Sequence, residues 1–162
     1  MPALLRVVLD TNVVLRGLAS ELSVAARLLS AAENRQFVTL LSKPVLSEYR
    51  AVLFDAELRE RFPSVTDLDI ETKLARLMYV GEFVRNVRVH FSLPRDSRDE
   101  RFVELVIAGA ATHIVSSDSD LLDLPQGKDD AARRFRQRLR RVALMNPAAF
   151  MARYSLERSS NM

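Results

Sequence analysis

The sequence has no cysteine and only two histidines, His90 and His113. Disulfides, thiolate metal sites and a zinc centre built on histidine are thereby excluded. A reducing cytoplasm is the expected location. No apolar run approaches the roughly 20 residues that a membrane helix needs, so no membrane partner is expected. The opening Met1-Pro2-Ala3-Leu4-Leu5-Arg6-Val7-Val8-Leu9-Asp10 is apolar, but it is short and meets an acid at once, unlike a signal peptide. Internal repeats, low-complexity tracts and flexible linkers are also missing. One domain over residues 1–162 is expected, with a core over about 4–154 and a short tail over 155–162.

The chain is 48% hydrophobic and 28% charged, enough to bury a core and stay dissolved. Its net charge of +3 is unevenly spread. Residues 129–162 hold eight Arg against Asp129, Asp130 and Glu157, which leaves the rest of the chain slightly acidic. The excess lies in Arg133-Arg134-Phe135-Arg136-Gln137-Arg138-Leu139-Arg140-Arg141. Such a run is ordinarily a solvated helix face, and it also attracts polyanions. Phe135 alone interrupts it and is expected to pack inward, so a base-stacking platform is not expected there.

Short apolar runs alternate with helical periodicity. Leu5–Leu9, Phe37–Leu41, Phe83–Phe91, His113–Ser116 and Val142–Leu144 read as strands. Helices are expected from Glu21 to Ala32, after Ser42-Lys43-Pro44, through 55–80 with a break at Pro63, from Arg98 to Ala111, from Asp129 to Arg140 and after Asn146-Pro147. Leu93–Asp99 reads as a polar loop. Strands alternating with helices predict a parallel sheet covered on both faces.

Acidic residues collect beside these elements: Asp10 after the first strand, Glu48 on the helix after the second, Asp96, Asp99 and Glu100 ahead of the fourth, and Asp118 and Asp120 after it. In such sheets ligands bind beyond the carboxyl ends of the strands. Taken singly, each acid has a plain reading as a helix cap or turn residue. Taken together they are compatible with one cleft. Oxygen donors of this kind suit Mg²⁺ or Mn²⁺, as one or two ions, and hence a metal-dependent reaction on phosphate. The histidines are expected to be structural or surface residues. Tyr49 and Tyr79 are expected at the edge of the core.

Four blocks in order carry a family resemblance: Leu9-Asp10-Thr11-Asn12-Val13-Val14-Leu15; Glu48 on a helix after Pro44; Arg95-Asp96-Ser97-Arg98-Asp99-Glu100-Arg101-Phe102; and Val115-Ser116-Ser117-Asp118-Ser119-Asp120-Leu121-Leu122. Over nearly the whole chain this resembles the PIN-domain family, and within it the branch of toxin components of prokaryotic toxin–antitoxin systems, the VapC-like ribonucleases. The resemblance implies a three-layer α/β/α fold with a parallel sheet of about five strands. It implies a Mg²⁺- or Mn²⁺-dependent endoribonuclease acting on single-stranded or structured RNA. Asp10, Glu48, Asp99 and Asp118 would then be the catalytic metal-binding acids and Asp120 a helper ligand. Asn12 and Ser116 would support the cleft by hydrogen bonds. A cognate antitoxin and a homodimer are the implied protein partners.

Three departures from the family pattern stand out. Where the branch has Asp-Pro followed by a run of Asp, Ser97 replaces Pro and Arg98 replaces one Asp. Asp99 is the preferred third ligand, with Glu100 and Asp96 as alternatives. The strand-end Thr-Gly is Ser116-Ser117, which keeps the hydroxyl. The basic helix is longer than usual, making Arg133, Arg134, Arg136, Arg138, Arg140 and Arg141 candidates for holding RNA phosphates or an acidic antitoxin segment. The rival reading is a catalytically weak PIN module that binds RNA or a protein. A haloacid-dehalogenase-like phosphatase needs an Asp where Asn12 stands. A receiver domain needs paired acids near the N-terminus and a late lysine.

Overall fold

A short apolar strand is stable only when both of its faces are covered, and the first strand shows how this chain does it. The structure, a computed structural model, describes residues 4–88, 90–93 and 97–160. Strand β1 (Arg6–Leu9) lies at the middle of a five-stranded sheet with β2 (Val38–Leu41), β3 (Glu82–Phe83), β4 (His113–Val115) and β5 (Ala143–Met145). The order is β3-β2-β1-β4-β5 and every pairing is parallel. Val7 pairs with Thr39 on one side and His113 on the other, so these three side chains share one face. That face meets Phe150, whose ring lies edge-on to Phe37 and to His113. Leu40 points to the opposite face, toward Gly109.

Helices α1 (Thr11–Ala19) and α2 (Val24–Glu33) link β1 to β2. Helices α3 (Lys43–Leu53), α4 (Ala56–Arg61) and α5 (Asp67–Val80) link β2 to β3, and α6 (Ser97–Ala108) leads into β4. Helix α7 (Ser119–Asp123), a 3-10 turn over Leu124–Gln126 and α8 (Asp130–Arg138) lead to β5, and α9 (Pro147–Ser160) follows. On one face α2 packs between α1 and α9; on the other α3 packs on α6, which lies over β1 and β2. This is a three-layer α/β/α fold. One apolar core runs from Val7 to Phe150, with Val7, Val8, Leu9, Leu40, Ile114 and Val115 fully buried.

Local chemistry sets the element ends. Ser42 caps α3 by accepting from the Val45 amide at 3.2 Å, with Pro44 in the first turn. Thr66 and Asp69 form a reciprocal capping box at α5. Gly17 lets α1 lie against Leu29 of α2, where a β-carbon would collide with that side chain.

Several sequence expectations are corrected. Residues 11–19 form α1, which was not expected; Asp10, just past the end of β1, is its N-cap. The third strand is only Glu82–Phe83. Val84 still donates to the Leu41 carbonyl at 2.8 Å, but Asn86 is left-handed at φ 56° and the chain turns off the sheet. Val89 lies outside the described residues. Helix α6 starts at Ser97, inside the stretch expected to be loop. Tyr79 is 80% exposed, under the Arg35 guanidinium, and is not at the core edge, while Tyr49 is wholly buried. No helix among the described residues is long and apolar enough to cross a membrane.

Candidate functional site

Strand order places a crevice at one point. From β1 the chain moves outward through β2 to β3, then returns to β4 on the other flank and continues to β5. The connections diverge between β1 and β4, and ligands of open parallel sheets bind beyond the carboxyl ends of such a pair. Asp10 follows β1 and Asp118 follows β4 at this place.

One hydroxyl joins them. Ser116, fully buried, donates its Oγ–H to Asp10 Oδ2 at 2.6 Å and accepts the Asp118 amide at 3.0 Å. Asn12 Nδ2 donates to Asp10 Oδ2 at 3.3 Å, and Asn12 Oδ1 accepts the Ser117 amide at 3.1 Å. The Thr11 amide donates to Asp10 Oδ1 at 2.7 Å, and the Asp10 amide donates to the Val115 carbonyl at 2.9 Å. Asp10 is 6% exposed, so its carboxylate is held nearly out of water in a fixed orientation. Asp118 Oδ1 accepts the Asp120 amide at 3.0 Å and caps α7.

A cavity of about 470 Å³ opens beside Asp120, lined also by Asp99, Asp123, Asp129, Leu93 and Leu121. Asp99 and Asp120 thus share one hollow, and the Asp118–Asp120 contact joins that hollow to the Asp10 cluster. Glu100 is directed elsewhere: its Oε1 accepts the Leu93 amide at 2.8 Å, fastening the preceding loop to α6. Asp96 lies outside the described residues.

Glu48 lies on α3. Its neighbour Tyr49 donates its phenol O–H to the Leu9 carbonyl at 2.5 Å, pinning α3 to the end of β1. Burial first, and the nearby Asp10 carboxylate second, push the Tyr49 phenol far above its usual range, so it stays a donor. Glu48 is itself buried, and Arg101 Nη1 of α6 donates to its Oε2 at 3.3 Å. Sequence reasoning missed Arg101. Its one signal was position, a charge next to the inward-facing Phe102 on the helix that carries Asp99. Thr11 was also missed: its Oγ1 is buried in the first turn of α1 with no hydrogen-bond partner among the described residues.

The donors are hard carboxylate and hydroxyl oxygens, the kind that Mg²⁺ and Mn²⁺ take. In kind, then, they fit such an ion. Among the described residues, however, no three Asp, Glu, His or Cys side chains come close enough together to hold one ion.

The basic helix flanks this region. Ala132, Phe135 and Leu139 are buried, and Phe135 meets Phe91 edge-on. Arg136 donates to the carbonyls of Pro125 and Gly127, Arg134 to the Ser92 carbonyl, and Arg133 pairs with Asp130. Arg138, Arg140 and Arg141 are exposed. His113 is buried against Phe150, with its Nδ1 2.8 Å from the Thr112 hydroxyl, a structural placement; His90 is exposed.

Neither the curated proteins nor the solved structures offer a match to this chain. A family profile does: that of the PIN domain, over residues 6–120. The match begins in β1 and ends in α7, so it spans the Asp10–Ser116–Asp118 cluster, Glu48 and Asp99. By that match over most of its length the chain belongs to the PIN domain family, whose members are generally nucleases.

Proposed function

We propose that this protein is a Mg²⁺- or Mn²⁺-dependent endoribonuclease, the toxin of a type II toxin–antitoxin pair. The observation that carries the nuclease reading is the Ser116 bridge between Asp10 and Asp118 at the divergence of β1 and β4. The hydroxyl holds the Asp10 carboxylate and the Asp118 backbone amide, which sets two acidic residues at the ends of neighbouring strands, and a cation between two such acids relieves their repulsion.

Asp10 and Asp118 would hold the ion, and Asp99, Asp120 and Glu48 would add oxygen donors by moving closer than they stand here. When bound, the ion would neutralise charge on a phosphodiester and lower the pKa of water. The chain supplies the rest. Ser116, Asn12 and the Thr11 amide fix the orientation of Asp10 before any substrate arrives. Tyr49 ties α3 to the Leu9 carbonyl and so sets the depth of Glu48. The exposed Arg138, Arg140 and Arg141 would take RNA phosphates as mobile point contacts, or an acidic antitoxin segment. The toxin role, the antitoxin and a homodimer belong to the same proposal and rest on the four sequence blocks.

The test is cleavage of a fluorescent single-stranded RNA with Mg²⁺ or Mn²⁺, with EDTA, and by Asp10→Asn. Cleavage that needs the metal and disappears in Asp10→Asn is expected. A folded protein that cuts in no metal, or an Asp10→Asn variant that cuts as well as the parent, would remove the assignment. The first of those outcomes favours the second reading, a catalytically weak PIN module. The observation on its side is that Glu48 is already paired with Arg101.

A further inference from the structure

Glu48 lies where a carboxylate is costly. It shares the inward side of α3 with Val45, Leu46 and Tyr49, all buried, and its side chain is 9% exposed. A buried carboxylate without a cation pays a heavy desolvation penalty. The partner this chain provides is Arg101, whose side chain is 47% exposed. The placement is built: the Tyr49 ring meets Phe102 at 6.1 Å, locking α3 to α6 so that the residue beside Phe102 overhangs Glu48. The contact is one Nη1–Oε2 bond of 3.3 Å, longer than a good charge-assisted bond and not bidentate. Glu48 therefore has nowhere to go, whereas Arg101 has open solvent on one side. A cation that arrives at this carboxylate displaces the guanidinium, not the acid.

We infer that Arg101 is the resident counter-ion of Glu48 and competes with the divalent metal for it. Arg101 is then a positioning residue. It holds Glu48 in place while no metal is bound, and it sets how tightly the metal is bound. The inference rests on the metal-dependent reading above. It adds a cost to metal binding that this chain imposes on itself through α6.

The test is Mn²⁺ titration by calorimetry of the full chain, Arg101→Gln, Arg101→Lys and Asp10→Asn, beside thermal melting in EDTA. Arg101→Gln should bind Mn²⁺ about five- to tenfold more tightly, the worth of one partly screened ion pair. Arg101→Lys keeps the charge on a more strongly hydrated ammonium group and should fall between the two. In EDTA, Arg101→Gln should melt below the parent, and Glu48→Gln combined with it should recover the loss. In the unsubstituted chain, the Arg101 side-chain NMR signal, assigned by its loss in Arg101→Lys, should move to a solvent-like position on adding Mg²⁺. That readout needs no destabilised variant.

Equal or weaker Mn²⁺ binding by Arg101→Gln, with binding by the parent lost in Asp10→Asn, would overturn this inference and leave the nuclease reading standing. An Arg101 signal unmoved at saturating Mg²⁺ would do the same. Absence of Mn²⁺ binding in both the parent and Arg101→Gln would remove the two together.

Discussion

Ser116 is the residue on which the site depends most, although it is neither acidic nor basic. Its hydroxyl serves a carboxylate oxygen of Asp10 and the amide of Asp118 at once, and no water reaches it. Ser116→Ala leaves a buried carboxylate oxygen short of a donor and an amide short of an acceptor. A loss of about 1–3 kcal/mol in stability is expected, because groups stranded by a missing partner forfeit their full solvation. Urea unfolding would show it as a lower midpoint at unchanged slope. RNA cleavage should fall further than stability alone explains, since Asp10 loses its orientation, while binding of uncut RNA should stay near normal. Ser116→Thr keeps the hydroxyl and should retain most of both properties. Cleavage at the parental rate in Ser116→Ala would mean that Asp10 needs no such support.

At the scale of elements, the end of α6 carries a misfit that can be measured. The helix closes with the Ala111 amide on the Val106 carbonyl and the Ala110 amide on the Ile107 carbonyl, which places Ala110 in the left-handed region at φ 51°. Glycine is the usual residue there, but the glycine of this turn is one position earlier. Gly109 is needed where it is, because a β-carbon would meet Leu40 Cδ1 at 2.9 Å. Ala110→Gly relieves the left-handed strain of roughly 1–2 kcal/mol and gives part of it back as unfolded-state entropy. A net gain of about 0.5–1 kcal/mol follows, or a rise of about 1–4 °C in Tm for a chain of this length. Scanning calorimetry would detect it, and a fall in Tm would show that the alanine methyl contributes packing there. The same scale explains what was legible in the sequence. Strands buried on both faces announce themselves as apolar runs, so the positions of β1, β2, β4 and β5 could be read. Helix α1 could not, because Val13, Val14 and Gly17 are poor helix formers and hold the helix only through burial against α2 and the core. The expected third strand stopped short because Asn86 is left-handed and takes the chain off the sheet. Among the candidate site residues, Asp10 and Asp118 were legible as acids at strand ends. Which of them meet was not, since that depends on Ser116 reaching across 106 residues to Asp10 and on α6 bringing Arg101 to Glu48.

For the molecule as a whole, the decisive asymmetry is charge. The core and the acidic cluster lie in a slightly acidic stretch of chain, and the basic excess is confined to the C-terminal part around α8. An acidic crevice alone would repel RNA, so a substrate needs a separate basic surface to hold it close. The six arginines of the stripe do not contribute equally to such a surface. Arg136 is committed to the carbonyls of Pro125 and Gly127, Arg134 reaches Ser92, and Arg133 is partly neutralised by Asp130. Arg138, Arg140 and Arg141 have no such contact among the described residues, and their charge is available at the surface. Affinity for a single-stranded RNA should therefore fall with salt, each phosphate neutralised adding about 0.7 to the logarithmic slope. Replacing Arg138, Arg140 and Arg141 together by Gln should flatten that slope by up to about 2. Stability should change little, because exposed charges contribute little to it. Arg136→Gln makes the contrasting control: it should leave the slope nearly unchanged and lower the melting temperature, by releasing the turn that walls the acidic cavity. Fluorescence anisotropy at several salt concentrations in EDTA, where nothing is cut, separates the two. An unchanged slope in the triple variant would move the RNA-holding surface away from this stripe.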